Sequence, residues 1–374
     1  MRTISLRSFL LVAAAGCSRP AAAVSQYDGH TIARHLETPW ALAFAPDGRL
    51  FVTERPGRIR VVRHDSLLAE PWAVLAVHES AARGLETGLM GLAVDPDFAR
   101  THRIYVCFTA DAGDGTFANR IAVLTEEHGR GTRPQVLVDG IPANSYHNGC
   151  RLKFGPDGKL YATTGDASGS PAEAGAAQLT TSLAGKVLRL NPDGSVPADN
   201  PFTGSFVWSY GHRNPQGLAF QPRTGRLVAT EHGTGGTGNN ELNVIERGRN
   251  YGWPIAIGVT HDPRFTAPIF VGEDAPAGAT FVTGSRYPAL RGSLIVGTLS
   301  AMRLLQFVPA PGDSLTIASR RVLVDGTWGR VRDVIQGPDG FLYLATSNRD
   351  GRGKPAPDDD RVIRLIAATI GGKR

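Results

Sequence analysis

The chain has 374 residues, of which 41% are apolar and 20% charged, and a formal net charge of +6. This balance is typical of a soluble globular protein and argues against a disordered chain. The positive charge permits an anionic ligand, but no cluster of Lys and Arg with interleaved aromatic residues is present, which argues against nucleic-acid binding.

The first 30 residues predict an export signal followed by a linker. Arg2 and Arg7 precede an apolar run at 9–15 that is too short to span a bilayer, so residues 1–17 are predicted to be a signal peptide. The sequence Ala-Ala-Gly-Cys at 14–17 resembles a bacterial lipobox, which predicts a periplasmic lipoprotein with a lipid anchor at Cys17. Cleavage in the Ala-rich stretch at 21–23, giving a free secreted protein, is the alternative. Residues 18–30 are then a linker, and residues 31–368 a single domain.

Five segments repeat one hairpin pattern of an apolar strand, a turn related to Pro-Asp-Gly and a second apolar strand. They lie at 42–53, 92–106, 152–163, 218–230 and 334–346. Pro presets φ for the turn, Asp can bond its own backbone and Gly closes the turn. The turn prolines are 50, 60, 66 and 116 residues apart, so a degenerate copy is expected near 292–298. The period predicts an all-β, six-bladed β-propeller, with a β-sandwich as the alternative.

Two cysteines, Cys107 and Cys150, remain in the mature chain. They do not form a Cys-x-x-Cys metal or redox motif. They could pair as a disulfide in an oxidising compartment, and two buried free thiols fit the sequence at least as well.

Polar residues stand directly before three of the repeats. His147 precedes the third repeat, and Asp166 ends the adjacent strand of the same hairpin. Such a histidine can act as a general base whose tautomer the carboxylate fixes, although a lone histidine can also be a structural hydrogen-bonder. Arg213 and Asn214 precede the fourth repeat. An Arg offers a planar fork for a carboxylate, or forms an ion pair between blades.

Arg330 and Arg332 precede the last repeat and alternate along the start of a strand, so both are expected to point the same way, with an anion between them. A solvated edge is the alternative. A Gly-rich loop at 233–238 formally matches the dinucleotide fingerprint, but the required βαβ unit does not follow. Such a loop can instead turn backbone carbonyls toward a hard cation such as Ca²⁺, to which Glu241 could add a carboxylate.

The motifs at 211–217 (Gly-His-Arg-Asn-Pro-Gln-Gly), 250–254 (Asn-Tyr-Gly-Trp-Pro) and 329–334 (Gly-Arg-Val-Arg-Asp-Val) occur in this order. Together they resemble the soluble quinoprotein glucose and aldose sugar dehydrogenases. Those are six-bladed propellers that use pyrroloquinoline quinone (PQQ) and Ca²⁺. The resemblance implies that an aldose is oxidised at its C1 hydroxyl to a lactone and that an external acceptor takes the electrons.

The same resemblance assigns roles to individual residues. His147 is implied to be the base that removes the anomeric hydroxyl proton, and Asp166 to orient it. The residues implied to hold PQQ are Arg213, Asn214, Arg330 and Arg332. The residues implied to bind Ca²⁺ are Gly233 and Thr234 through backbone carbonyls and, at a further site, Glu241 and Tyr251.

Two cofactor positions depart from the better-known members. Glu86 replaces a Gln, and its carboxylate would repel an anionic cofactor unless it is protonated or paired. Ser300 replaces a Lys, so that one cation is lost. Two other functions therefore stay open: a non-redox propeller of the same family that binds a sugar or a protein, and a Ca²⁺-dependent hydrolase of the lactonase type.

Overall fold

The computed structural model describes residues 27–78, 84–113, 115–234, 238–312 and 315–367. The predicted signal peptide, Cys17 and the Ala-rich stretch at 21–23 lie outside the described residues. Over the described ranges the chain forms six antiparallel sheets of four or five strands each. These sheets are the six blades of a β-propeller, which confirms the predicted fold. None of the helices described is long and apolar enough to cross a membrane.

The first three blades each consist of strands that follow one another in the chain, with the innermost strand first. Blade 1 contains β2 (Pro39–Phe44), β3 (Leu50–Glu54), β4 (Arg58–Arg63), β5 (Ser66–Leu67) and β6 (Ala73–Val74). Blade 2 contains β7 (Leu89–Val94), β8 (Arg103–Asp111), β9 (Phe117–Glu127), β10 (Arg130–Gly131) and β11 (Gln135–Pro142), with the short helix α1 (Phe98–Thr101) after β7. Blade 3 contains β12 (Gly149–Phe154), β13 (Leu160–Thr164), β14 (Lys186–Leu190) and β15 (Val207–Tyr210), with a 3₁₀ turn (Ala174–Gln178) before β14.

The last three blades repeat this order, and the final one also recruits the first strand of the described chain. Blade 4 contains β16 (Pro215–Phe220), β17 (Leu227–Glu231), β18 (Asn240–Ile245) and β19 (Phe270–Gly272). Blade 5 contains β20 (Pro276–Phe281), β21 (Leu294–Thr298), β22 (Arg303–Pro309) and β23 (Ile317–Asp325), with a 3₁₀ turn (Pro288–Leu290) before β21. Blade 6 contains β24 (Val331–Gln336), β25 (Leu342–Thr346), β26 (Val362–Ala367) and β1 (Tyr27–Ala33).

The repeated hairpins connect the two inner strands of their blades as the turn chemistry predicts. In blade 1 the Ala45 N–H donates to the carbonyl of Arg49 at 2.9 Å, and the Asp47 carboxylate accepts from the Arg49 N–H at 3.0 Å. Gly48 has a φ of 84°, a conformation that glycine adopts without strain. The degenerate copy is blade 5, where β21 is present and a longer connection replaces the tight turn.

The ring closes through the two ends of the described chain. Strand β1 pairs antiparallel with β26, from Tyr27 opposite Ala367 onward. Strand β1 therefore includes the last four residues of the segment predicted to be a linker. The inner strands β2, β7, β12, β16, β20 and β24 contact one another in sequence, and β24 contacts β2.

The hydrophobic core fills the spaces between adjacent blades. Between blades 1 and 2, the ring of Phe51 meets those of Trp72 and Phe98 at centroid distances of 5.4 and 6.3 Å. Cys107 on β8 and Cys150 on β12 form a disulfide that links blade 2 to blade 3. The structure thus decides between the two possibilities that the sequence left open for these cysteines.

Candidate active site

A histidine and a carboxylate meet at the ends of the first two strands of blade 3. Antiparallel pairing places Gly149 of β12 opposite Thr164 of β13, which brings together His147, before β12, and Asp166, after β13. The Nδ1 atom of His147 lies 2.9 Å from Oδ1 of Asp166. Because the carboxylate favours a proton on Nδ1, the Nε2 atom keeps a lone pair that can accept a proton.

The Asp166 carboxylate is held on its other side as well. Its Oδ2 atom accepts from the Ser168 hydroxyl at 2.8 Å and from the indole N–H of Trp253 at 2.7 Å. The Asp166 side chain is fully buried, whereas that of His147 is 15% exposed. The carboxylate is therefore a fixed support, and the imidazole is the member of the pair that a ligand can reach.

Backbone contacts hold the histidine loop in an unusual conformation. His147 has a φ of 62°, in the left-handed region that non-glycine residues rarely occupy. Its N–H donates to the Glu86 carboxylate at 2.9 Å, and the Gly149 N–H donates to the side chain of Asn214 at 3.1 Å. These bonds fix the direction of the imidazole from the neighbouring blades 2 and 4.

His147 faces a cleft of about 540 Å³ at one mouth of the central channel. The cleft brings together seven of the residues singled out from the sequence: Glu86, His147, Arg213, Asn214, Gly233, Thr234 and Ser300. Asp166 lies behind His147. Arg330, Arg332, Glu241 and Tyr251 do not line this cleft.

Three buried side-chain nitrogen atoms in or next to the cleft have no hydrogen-bond partner among the described residues. They are Nε of Arg213, Nε2 of His232 and Nε of Arg332. Burial lowers the pKa of Arg213, and it lowers that of Arg332 to about 10. Burial also lowers the pKa of His232 to about 3, which leaves this imidazole neutral at neutral pH. Buried polar groups without partners are costly, so this donor set is suited to a ligand rich in anionic oxygens.

The two arginines before the last repeat are paired within the protein. Nε and Nη2 of Arg330 donate to Oδ2 of Asp350 at 3.0 and 2.8 Å. Nη2 of Arg332 lies 3.6 Å from the same oxygen, and its Nη1 donates to the side-chain oxygen of Gln216 at 3.1 Å. The anion expected between the two arginines is thus Asp350. Arg332 keeps its free Nε, whereas Arg330 acts as a support for this carboxylate.

Glu86 is ionised and paired. Its Oε2 atom accepts from the Asn214 amide at 3.1 Å, and its Oε1 lies 3.7 Å from the Arg352 guanidinium. Desolvation opposes ionisation, but the positive charges of neighbouring groups, first His232 in its protonated form, then His147 and Arg352, outweigh it and lower the pKa of Glu86. The sequence left two ways for Glu86 to avoid repelling an anionic cofactor, protonation or pairing, and in the structure the Glu86 carboxylate is paired.

A second, much smaller cavity of about 10 Å³ adjoins the cleft and contains the other predicted metal residues. Glu241 accepts from the Gly258 N–H and the Asn243 amide, both at 2.9 Å. Burial and the nearby Glu231 carboxylate raise the pKa of Glu241 to about 8. The Tyr251 hydroxyl is bonded to the backbone of Val244, so Tyr251 could offer a metal only its carbonyl. In the described part of the chain, no three His, Cys, Asp or Glu residues form a cluster that could hold a metal ion.

Sequence reasoning did not single out His232 or Arg352. His232 follows the last residue of β17 and stands next to the Gly-rich loop, where a lone histidine carries no distinctive pattern. Arg352 lies in the stretch Arg-Asp-Gly-Arg at 349–352, between β25 and β26. The two arginines that flank Asp350 were the sequence feature that could have indicated a charged site here.

Residues 36–362, most of the chain, match the family model described as Glucose / Sorbosone dehydrogenase. The chain belongs to this family of oxidoreductases. The aldose sugar dehydrogenase YliI of Escherichia coli is 32% identical over 341 residues, which cover 84% of this chain and 89% of that protein. The quinoprotein glucose dehydrogenase B of Acinetobacter calcoaceticus is 35% identical over 63% of this chain and 54% of that protein.

A solved structure of another family member is also similar. It is the PQQ-bound form of an aldose sugar dehydrogenase from Streptomyces coelicolor, with a TM-score of 0.79 and 35% identity, covering 92% of this chain and 99% of that chain. The glucose/sorbosone dehydrogenase fold therefore extends over nearly all of the described residues.

Proposed function

We propose that this protein is a PQQ-dependent aldose dehydrogenase that oxidises the C1 hydroxyl of a sugar to a lactone. One observation carries the proposal: the supported His147 base faces the same cleft as Arg213, whose buried Nε has no hydrogen-bond partner among the described residues. The PQQ-bound relative from Streptomyces coelicolor supports the identity of the cofactor. PQQ, when bound, would supply the acceptor for the hydride.

The donor set of the cleft fits an anionic quinone cofactor. PQQ carries carboxylates, and the free Nε atoms of Arg213 and Arg332 and Nε2 of His232 would hold them, with Asn214 beside Arg213. Asp350, 3.6 Å from Nη2 of Arg332, stabilises the charge of this guanidinium. In this assignment Arg330 supports the site through Asp350, and Ser300 lies exposed at the rim.

The base chemistry belongs to the protein itself. Nε2 of His147 would accept the proton of the C1 hydroxyl while Asp166, bonded to Nδ1, stabilises the imidazolium that forms. Ser168 and Trp253 keep the carboxylate hydrogen-bonded in both states of the histidine. The imidazole is thus oriented before substrate arrives.

Calcium is a further part of the proposal. The backbone carbonyls of Gly233 and Thr234, at the cleft, would bind one Ca²⁺ beside the cofactor. The small cavity with Glu241 and the backbone of Tyr251 would bind another, because a cation there would relieve the burial and the repulsion from Glu231 that raise the pKa of Glu241. The unpartnered side-chain oxygen of Asn243, beside Glu241, adds to the oxygen-rich character that hard cations prefer.

Export to the periplasm, with a lipid anchor at Cys17, is proposed from the N-terminal sequence. The Cys107–Cys150 disulfide supports the proposal, since disulfides form and persist in oxidising compartments. Globomycin treatment of an expressing cell, which blocks lipoprotein signal processing, should shift the protein to its unprocessed form. A Cys17→Ala chain that still fractionates with membranes would contradict the anchor.

The activity is tested with the chain from residue 18 onward, loaded with PQQ and Ca²⁺, by reduction of an artificial electron acceptor with a panel of aldoses. Turnover is expected with at least one aldose, and His147→Ala should abolish it. His128→Ala, which removes an exposed histidine between β9 and β10, is the matched control. Absence of both PQQ binding and turnover would refute the proposal, and activity that survives in His147→Ala would refute the base.

The role of Glu86 is tested separately by PQQ affinity. Glu86→Gln keeps an oxygen that can accept from His147 and Asn214 but removes a negative charge from the cleft. PQQ should bind about five- to tenfold more tightly, a gain of about 1 kcal/mol. Glu273→Gln, the same charge change at an exposed cleft residue, should have a smaller effect. Equal affinities of Glu86→Gln and the wild type would mean that Arg352 already neutralises the carboxylate.

A further inference from the structure

The central channel contains another cavity, of about 250 Å³, which is formed by residues from all six inner strands and is called the channel cavity below. The cleft is lined by residues that precede the inner strands, such as His147 and Arg213, whereas this cavity is lined by the strands themselves. It belongs to the propeller axis and shares no lining residue with the cleft. Its wall is polar and apolar in nearly equal measure, and Leu42, Leu92, Leu218 and Ile335 are among the apolar lining residues.

Three charged side chains face this channel cavity, and their charges do not cancel. They are Arg151 and Lys153 of β12 and Asp333 of β24. Arg151 is 5% exposed; its Nη1 donates to Asp333 at 2.9 Å and its Nε donates to the carbonyl of Gln216 at 2.9 Å. Its Nη2 atom is buried and has no hydrogen-bond partner among the described residues. Asp333 is bonded on both oxygens, since Oδ2 also accepts from the Leu42 N–H and Oδ1 from the Val334 N–H.

Lys153 adds the unbalanced charge. Residues 151 and 153 alternate along β12, so their side chains lie on the same face of the strand. The ammonium of Lys153 makes no hydrogen bond or ion pair with any residue in the described ranges. Desolvation lowers its pKa, the Arg151 charge lowers it further, and Asp333 opposes both. Lys153 is only partly buried, whereas Arg151 is buried, and together with Asp333 they leave an excess of one positive charge at the cavity wall, which attracts an anion.

A layer of side chains separates this channel cavity from the cleft. The Trp40 ring contacts two guanidinium groups, that of Arg151 at 4.1 Å and that of Arg332 at 5.9 Å from its centroid. Gln216 bridges the same pair, because its backbone carbonyl accepts from Arg151 and its side chain from Arg332. A ligand in the channel cavity would therefore meet Arg151 and Lys153, and not the donors that face His147.

We propose that the channel cavity binds a small monovalent anion, such as chloride, between Nη2 of Arg151 and the ammonium of Lys153. One negative charge matches the excess of one positive charge, and the unpartnered Nη2 supplies a donor in a fixed direction. The proposal does not depend on the proposed dehydrogenase activity, since the cavity is separate from the cleft.

The site is tested on the cofactor-free chain from residue 18 onward, first by bromide anomalous diffraction from crystals of the wild type. A peak is expected in the channel cavity beside Arg151 and Lys153. Lys153→Met, which keeps the length of the side chain but removes the ammonium, should lose the peak. Lys159→Met removes a lysine of the same blade that is bonded to Asn191 outside the cavity, and should keep it. Absence of a peak in the wild type, or its persistence in Lys153→Met, would overturn the proposal.

Thermal unfolding in chloride gives a measurement in solution. At a chloride concentration a hundredfold above the dissociation constant, the Tm of the wild type and of Lys159→Met should rise by about 4 °C more than that of Lys153→Met. Comparing variants at each salt concentration cancels the general effect of ionic strength. Parallel salt curves for all three proteins would overturn the proposal.

Discussion

The disulfide between blades 2 and 3 gives a stability prediction that follows from its place in the chain. Its cysteines are 43 residues apart in sequence, and a cross-link of that span restricts the unfolded chain by about 4 kcal/mol in the loop-closure treatment. For a domain of this size the unfolding entropy is about 0.7 kcal/mol per degree, so the Tm should fall by about 6 °C when the bond is lost. The perturbation is the double variant Cys107→Ala with Cys150→Ala.

The assay is thermal unfolding of the chain from residue 18 onward, with and without a phosphine reductant. Reductant should lower the Tm of the wild type toward that of the double variant and leave the double variant unchanged, which separates the cross-link from the packing of the sulfur atoms. Thiol titration of the denatured, unreduced wild type should find no free thiol. Two free thiols, or a wild-type Tm that does not respond to reductant, would refute the reasoning.

Three further predictions concern the base, a buried lysine and the packing of two inner strands. Asp166→Asn should lower kcat by about 10³–10⁴ with little change in KM, because the amide favours the wrong tautomer of His147. Asp28→Asn, at an exposed position on β1, is the control and should keep the wild-type kcat. A kcat of Asp166→Asn within tenfold of the wild type would contradict the orienting role. Burial lowers the pKa of Lys186 to about 7 from 10.5, so the cost of its charge is full below pH 7 and disappears as the pH rises toward 10. The Tm of the wild type relative to Lys186→Met should therefore rise across that range, and a constant difference would contradict the lowered pKa. A Cβ at Gly91 would lie 2.0 Å from the carbonyl oxygen of Cys150. Gly91→Ala should therefore destabilise the fold by about 1–3 kcal/mol or more in denaturant titrations. Gly175→Ala, whose Cβ would meet no atom within 4 Å, should leave the stability unchanged.

Much of the fold could be predicted because its information is local. A Pro-Asp-Gly turn between two apolar strands encodes its own hairpin, and the spacing of five such hairpins counts the blades even where blade 5 lacks the turn. The pairing of β1 with β26 could not be predicted in this way, because nothing in residues 27–33 indicates a partner at the other end of the chain. The disulfide stayed open for a similar reason, since it depends on two strands of different blades lying side by side.

The site was predictable where a residue's position in the repeat determines its place in the ring. His147 and Arg213 enter equivalent strands, and Asp166 follows from the hairpin that pairs with the first of these. The pairing of Arg330 with Asp350 could not be predicted, because Asp350 lies beyond the repeat and only folding brings the two together. His232 was missed because burial, not its sequence neighbours, keeps it neutral and leaves its Nε2 without a partner in the part of the chain that the structure describes.

The pairing that closes blade 6 determines at which stage of synthesis the propeller ring can form. Strand β1 leaves the ribosome first and its partner β26 leaves last, so the ring has no closing pair until nearly the whole chain has been synthesised. The strand that completes the ring therefore also delays its closure until β26 has been synthesised.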